Sequence, residues 1–106
     1  MSHLVTIHWH VFAGDPLAFR VTVESDAEAS DVQAAEWRHP EIDTLTLDSG
    51  LSVSDGDDGA IVVDGDAGTP TLTAGASKEA HLLVDVGAGL MVVAVQRVQV
   101  SRRVDG

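Results

Sequence analysis

Cysteine and tyrosine are both missing from the sequence, lysine occurs once, at position 78, and only 6 basic residues face 17 acidic ones. Without cysteine, neither a disulfide nor a zinc-thiolate cluster can staple the chain, so an apolar core has to hold it. The scarcity of positive charge leaves a formal net charge of −11. Such a field opposes phosphate, so neither nucleic acid nor an anionic membrane is expected as a partner. No apolar run approaches the ~18 residues of a membrane-spanning helix. The basic region, apolar run and small-residue cleavage site of a secretory leader are also missing, so export by that route is not expected. Only 4 % of residues are aromatic, and without tyrosine the chain lacks a usual recognition residue.

What is present is a moderately apolar chain, 44 % hydrophobic over 106 residues. That suffices for one domain, 1–106, burying roughly 60–70 % of the surface its unfolded form exposes. Aspartate dominates the acids, and valine and alanine dominate the apolar set. This composition is like that of a protein adapted to concentrated salt, where near 1 M the Debye length falls to about 3 Å and self-repulsion between acidic groups fades; the plainer reading is an ordinary acidic protein from a GC-rich genome.

Alternation carries the structural signal. From Val5 to Glu24, Ile7, Trp9 and Val11 share one face, and Thr6, His8 and His10 the other. Leu17, Phe19, Val21 and Val23 then alternate with Ala18, Arg20, Thr22 and Glu24, and the intervening Ala13-Gly14-Asp15-Pro16 predicts that the two arms form a β-hairpin. Ser25 to Asp31 is a polar connector, and Val32 to His39 a strand with Trp37 inward, ended by His39-Pro40. Leu45 to Leu47 and Leu51 to Val53, around Asp48-Ser49-Gly50, predict a tight hairpin or one bulged strand. Two acidic turns, 54–59 and 64–68, bracket a short strand, Ala60 to Val63, and Thr69 to Thr73 reads as an edge strand because of Pro70. His81 to Val86 alternates, Gly87-Ala88-Gly89 turns the chain, and Leu90 to Val104 is the longest strand signal. Within it Met91, Val93 and Val95 share one phase, whereas Val98, Val100 and Val104 share the other, which predicts a bulge at Gln96-Arg97. About seven or eight short antiparallel strands without a helix of three turns make an all-β sandwich, with a small β-barrel as the alternative.

Chemistry-bearing residues are few. His8 and His10 stand at i and i+2 on one strand face, a spacing able to grip one metal ion, as in cupin enzymes; His39 and His81 lack the flanking pattern of a second cupin motif. From Asp55 to Asp66 the chain is partly like a calcium loop, with Asp55, Asp57 and Asp66 at positions 1, 3 and 12, but Ala60 replaces the turn glycine and no helices flank it. Serine, histidine and aspartate occur without a nucleophile elbow. Catalytic residues and cofactors are therefore not expected, and these residues rank as weak metal candidates beside a plainer role as solvated surface.

In order, the segments Gly14-Asp15-Pro-Leu-Ala-Phe-Arg-Val-Thr-Val23, Ala35-Glu-Trp-Arg38, Leu51 to Val63, Leu83-Val-Asp85 and Arg97 to Val104 are similar to the small immunoglobulin-like domain at the N-terminus of tailed-phage baseplate upper proteins and related virion proteins. Ser30-Asp31-Val32 stands where that family usually carries Leu-Thr-Gly. The resemblance implies an immunoglobulin-like β-sandwich. It also implies a structural, non-enzymatic virion protein of a tailed virus, in baseplate, tail, neck or capsid surface, made in the host cytoplasm and assembling with copies of itself and neighbouring virion proteins. The composition adds a halophilic host. The last strand, with its valines and Arg102-Arg103, is either a surface toward an adjacent copy, the arginines meeting that copy's acidic turns, or an ordinary strand whose valines complete this chain's own sheet. The alternative is a small metal-binding or cupin-like enzyme centred on His8 and His10.

Overall fold

In the computed structural model, which describes residues 5–57, 59–75 and 77–102, the alternating segments form eight strands among the described residues. They are β1 (Val5–Phe12), β2 (Ala18–Glu24), β3 (Ala34–His39), β4 (Ile42–Thr46), β5 (Leu51–Asp55), β6 (Ala60–Asp66), β7 (Lys78–Asp85) and β8 (Met91–Ser101). They build two open sheets, ordered β1-β8-β7-β3-β4 and β2-β6-β5. The sheets pack face to face as an all-β sandwich. Each keeps two edge strands, so the barrel alternative is excluded. All pairings are antiparallel except β1 with β8, which run parallel.

The core is the set of inward residues that alternation picks out: Leu17, Val21, Trp37, Val63, Leu82 and Val98 are all at most 2 % exposed. Trp37 lies at its centre, within 5.0 Å of the Phe19 ring and stacked 5.8 Å from that of His39. Its indole Nε1 donates to Oε1 of buried Gln96.

Five sequence expectations need correction. The first concerns 5–24: β1 and β2 are not a hairpin. Through Ala13 to Leu17 the chain changes sheets, with Ala13 N–H donating to Ser101 and Leu17 N–H to Gly68. Both arms bury one face, as a hairpin would require, but the faces meet across the core. Trp9 and Phe19 touch edge to face at 5.9 Å from opposite sheets.

Likewise β4 and β5 lie in different sheets, being neither hairpin partners nor one strand; β4 instead pairs with β3. The turn expected at 64–68 begins later, because Asp64, Gly65 and Asp66 continue β6. Gly65 pairs with Phe19, whose ring occupies the space a Cβ at 65 would need. Its role is close approach rather than reversal. Thr69 to Thr73 forms no strand. It belongs to the crossing from β6 to β7, pinned by buried Leu72 and by Thr73, whose N–H and hydroxyl both donate to Glu41.

The last correction concerns β8. The register passes from Leu82 opposite Ala94 to Leu83 opposite Val92, so the irregularity falls at Val93 and not at Gln96-Arg97. Gln96 simply points inward as a polar core residue, and the alternation runs unbroken through Ala94, Gln96, Val98 and Val100, all buried. Val98 and Val100 therefore complete this chain's own core rather than face a neighbour. With β1 on one side and β7 on the other, β8 has no free edge for strand addition. Val104 and Arg103, from the same expectation, lie outside the described residues.

Candidate functional site

Strand directions sort the loops to two ends. At one end stand the β2 to β3 connection, the β5 to β6 turn and the β7 to β8 turn. The last is folded tightly: Asp85 Oδ1 accepts from the N–H groups of Gly87 (2.7 Å) and Gly89 (3.1 Å). Both glycines take positive φ, 122° and 97°, which costs any other residue strain. Val86 and Leu90 consequently project outward, and the irregularity at Val93 turns Met91 and Val92 out as well. These four are 37–48 % exposed, and the one other large hydrophobic exposed among the described residues is Phe12, on β1.

Beneath this tip the sheets diverge around a cleft of about 130 Å³, walled by Val23, Ile61, Val84, Val86, Met91 and Val93, with Glu24 and Ser25 at its rim. The walls are aliphatic. It has room for one branched aliphatic side chain.

At this end of the molecule stand Glu24, Asp26, Glu28, Asp31, Asp55, Asp57 and Asp85, of which Glu24 lines the cleft, and no Lys, Arg or His occurs in 24–33, 55–60 or 85–91. None of these seven acids enters an ion pair among the described residues. Several instead brace the loops. Asp31 Oδ2 accepts from Glu28 N–H at 2.9 Å, Asp55 Oδ1 from Ala29 N–H at 2.8 Å, and Ser25 Oγ from Ala27 N–H at 3.0 Å. This end is thus both strongly acidic and braced by its own loops.

The opposite end is organised by Glu41. Its carboxylate accepts from Thr73 Oγ1 at 2.6 Å and Thr73 N–H at 3.2 Å, and lies 3.1 Å from Lys78 Nζ. These bonds, the Thr73 ones above all, hold its pKa down at about 2. His39 Nδ1 accepts from Glu41 N–H at 3.0 Å, while Nε2 is buried without a hydrogen-bond partner among the described residues. Burial pushes the His39 imidazole below its ordinary value, outweighing the opposing carboxylate of Glu41.

The sequence-derived metal candidates are scattered. His8 and His10 stand exposed on the outer face of β1; His8 is opposite Arg97, and His10 Nε2 lies 2.6 Å from Ser101 Oγ. His39 is inside and His81 is on β7. Asp55 is opposite Ile61, five residues from Asp66 along β6, so the two are about 17 Å apart. Asp57 sits in the turn beside Asp55. Among the described residues no group of three or more His, Asp or Glu is placed to hold one metal ion. What the residue reading passed over is the apolar tip. Its signal was legible, since Leu90 to Val93 is apolar in both phases directly after a glycine turn, which a strand with one wet face does not need.

Compared with known proteins, the chain matches no family model and no curated sequence.

Proposed function

We propose that this domain is a docking module rather than an enzyme, working through its β7 to β8 end as a structural protein of a tailed-virus particle from a halophilic host. The observation that carries the docking reading is an aliphatic cleft, crowned by Val86, Leu90, Met91 and Val92, at an end of the molecule that holds seven acids with no ion pair among the described residues. Exposed apolar side chains gathered in one patch and rimmed by charge mark interaction surfaces. An anchor in the cleft supplies hydrophobic affinity, while the acidic rim selects basic neighbours and steers their approach. The virion setting rests on the similarity of segments between Gly14 and Val104 to the baseplate domain, and the all-β sandwich is compatible with it. The host rests on composition.

Mass spectrometry of density-purified particles from a producing culture, with wild type and Met91→Glu compared, tests both parts. Wild type in stoichiometric amounts and a folded variant excluded from particles are the expected results. Wild type missing from the particles would end the virion reading; equal incorporation of the variant would end the docking role of this end.

A further inference from the structure

The two open sheets end in the strands β1, β4, β2 and β5, and these four edges are not alike. β2 carries Arg20 and Glu24; β4 and β5 are only five residues long and carry Asp43 and Asp55. Short length and charged side chains are the usual devices that keep an edge from adding another strand. β1 has neither. It runs for eight residues, VTIHWHVF, without Asp, Glu, Lys, Arg, Pro or Gly. The ladder shows which of its backbone groups face outward. Ala13 N–H donates to the Ser101 carbonyl at the end of β8, and successive strand residues turn their backbone groups to alternate sides. Ile7, Trp9 and Val11, in phase with Ala13, therefore bond β8. Thr6, His8 and His10 hold theirs toward the side on which no further strand lies among the described residues. The side chains of this edge are also incompletely covered. The five-stranded sheet is wider than the three-stranded one packed on it, so Ile7 and Trp9 face inward yet are only half-buried, whereas Val11 is buried.

We propose that β1 is a dimerisation edge, to which a second copy of this chain adds its own β1, antiparallel, about a two-fold axis at Trp9. A register that keeps inward residues opposite inward ones is required if both copies are to bury the same face. Centred on Trp9, the pairing sets His8 opposite the second copy's His10 and Thr6 opposite its Phe12, where backbone bonds close. Ile7 then meets the second copy's Val11, and the two Trp9 side chains meet at the axis. Each Trp9 already touches Phe19 edge to face at 5.9 Å, and the second copy covers the side left open. A copy fits this edge because the strand is complementary to itself: its alternation reads the same in both directions from Trp9, as an isologous contact demands. An edge free of carboxylates is also where two molecules of net charge −11 meet with least opposition. The contact closes at two and joins both five-stranded sheets into one. It lies apart from the cleft, since Trp9 is opposite Val98, roughly 20 Å along β8 from Met91. Because the paired strands run in opposite directions, the two cleft ends point away from each other, and the dimer is a two-headed connector.

His8→Pro isolates this edge. Proline removes the N–H of residue 8 and puts its ring on the outer side, which an edge strand tolerates when the N–H lost was not bonded to its neighbour. The variant is therefore expected to keep the wild-type circular dichroism. Light scattering coupled to gel filtration in about 1 M salt, where repulsion between subunits is short-ranged, should show wild type passing from monomer to dimer and no further. His8→Pro should associate at least about tenfold more weakly. Cross-linking reads the register. The chain has no cysteine, so His8→Cys and His10→Cys each add a single thiol. Residues opposed in a hydrogen-bonded antiparallel pair stand about 5.5 Å apart at Cα, within disulfide reach. Oxidation should therefore link the two variants to each other faster than it links either to itself. Wild type that stays monomeric at millimolar concentration, a folded His8→Pro that dimerises like wild type, or a mixture that cross-links no faster than the separate proteins each overturns the inference. If His8→Pro does not fold, the cross-linking decides alone.

Discussion

Trp37 and Gln96 share a side-chain hydrogen bond at the centre of the core, and each makes the other tolerable. Buried Gln96 interrupts a valine-rich strand at a cost only a partner offsets, and the indole N–H is that partner. Gln96→Leu orphans the indole and is expected to cost about 1–3 kcal/mol by denaturant unfolding. Trp37→Phe should cost less when combined with Gln96→Leu than in wild type; strict additivity would mean the bond contributes nothing. His39 sets a pH limb of stability. Unfolded, it titrates near 6.5, and in the fold burial lowers that value, with Glu41 raising it and Lys78 lowering it further. Below about pH 6.5 the unfolded chain therefore binds more protons than the native one, and stability falls as pH falls. Glu41 adds a second limb: its contribution is complete above 4.5 and is lost toward 2. Melting temperatures measured between about pH 7.5 and pH 5 should drop more steeply for wild type than for His39→Phe, and parallel curves would remove His39 from this role. His8 and His10 lie outside the core, so the double alanine variant should fold normally, and chelator should leave the melting temperature unchanged. A specific ion saturated at 100 times its dissociation constant would instead show as about 2.7 kcal/mol.

Among the elements β8 has the widest reach. It lies between β1 and β7, buries Ala94, Gln96, Val98 and Val100, and accepts backbone bonds from Ala13 and Gly75 near its end. Truncation after Gln99 removes Val100 together with the Ser101 carbonyl that holds the β1 to β2 crossing. Circular dichroism and limited proteolysis should then report an unfolded chain. A folded monomer would show that the end of β8 is dispensable to the core. The same strand begins at the cleft, where Met91 forms part of the wall, and ends at Ser101.

At the scale of the molecule, charge is the governing quantity. The cleft end holds seven acids with no counter-charge among the described residues, so like charges repel there across every loop. Screening at about 1 M salt shortens the range of that repulsion to about 3 Å. A thermal series from dilute buffer to above 1 M salt should therefore show a rising melting temperature. Equal or greater stability in dilute buffer would remove the halophilic reading. Lengthening of the cleft-end loops is tolerable only where it leaves the braces of Asp31, Asp55 and Asp85 intact, because these bonds hold the repelling loops in register.

Alternation by itself determined which residues are inside. Ile7, Trp9, Leu17, Val21, Trp37, Leu82 and Val84 all point inward as their period-2 pattern requires, because side-chain direction in a strand is a local property. Composition likewise determined the acidity. Pairing was not local: whether β1 lies beside β2 or across the core from it depends on which sheet each joins, and one buried face satisfies either arrangement. The Asp-Gly-Asp of β6 read as a turn because only the folded chain brings the Phe19 ring over Gly65. Gln96 looked like a change of phase because its partner, Trp37, stands 59 positions away in sequence. The cleft needed three loops distant in sequence to converge at one end. The strand pattern fixes a side chain's direction, and the tertiary structure alone decides what lies opposite it.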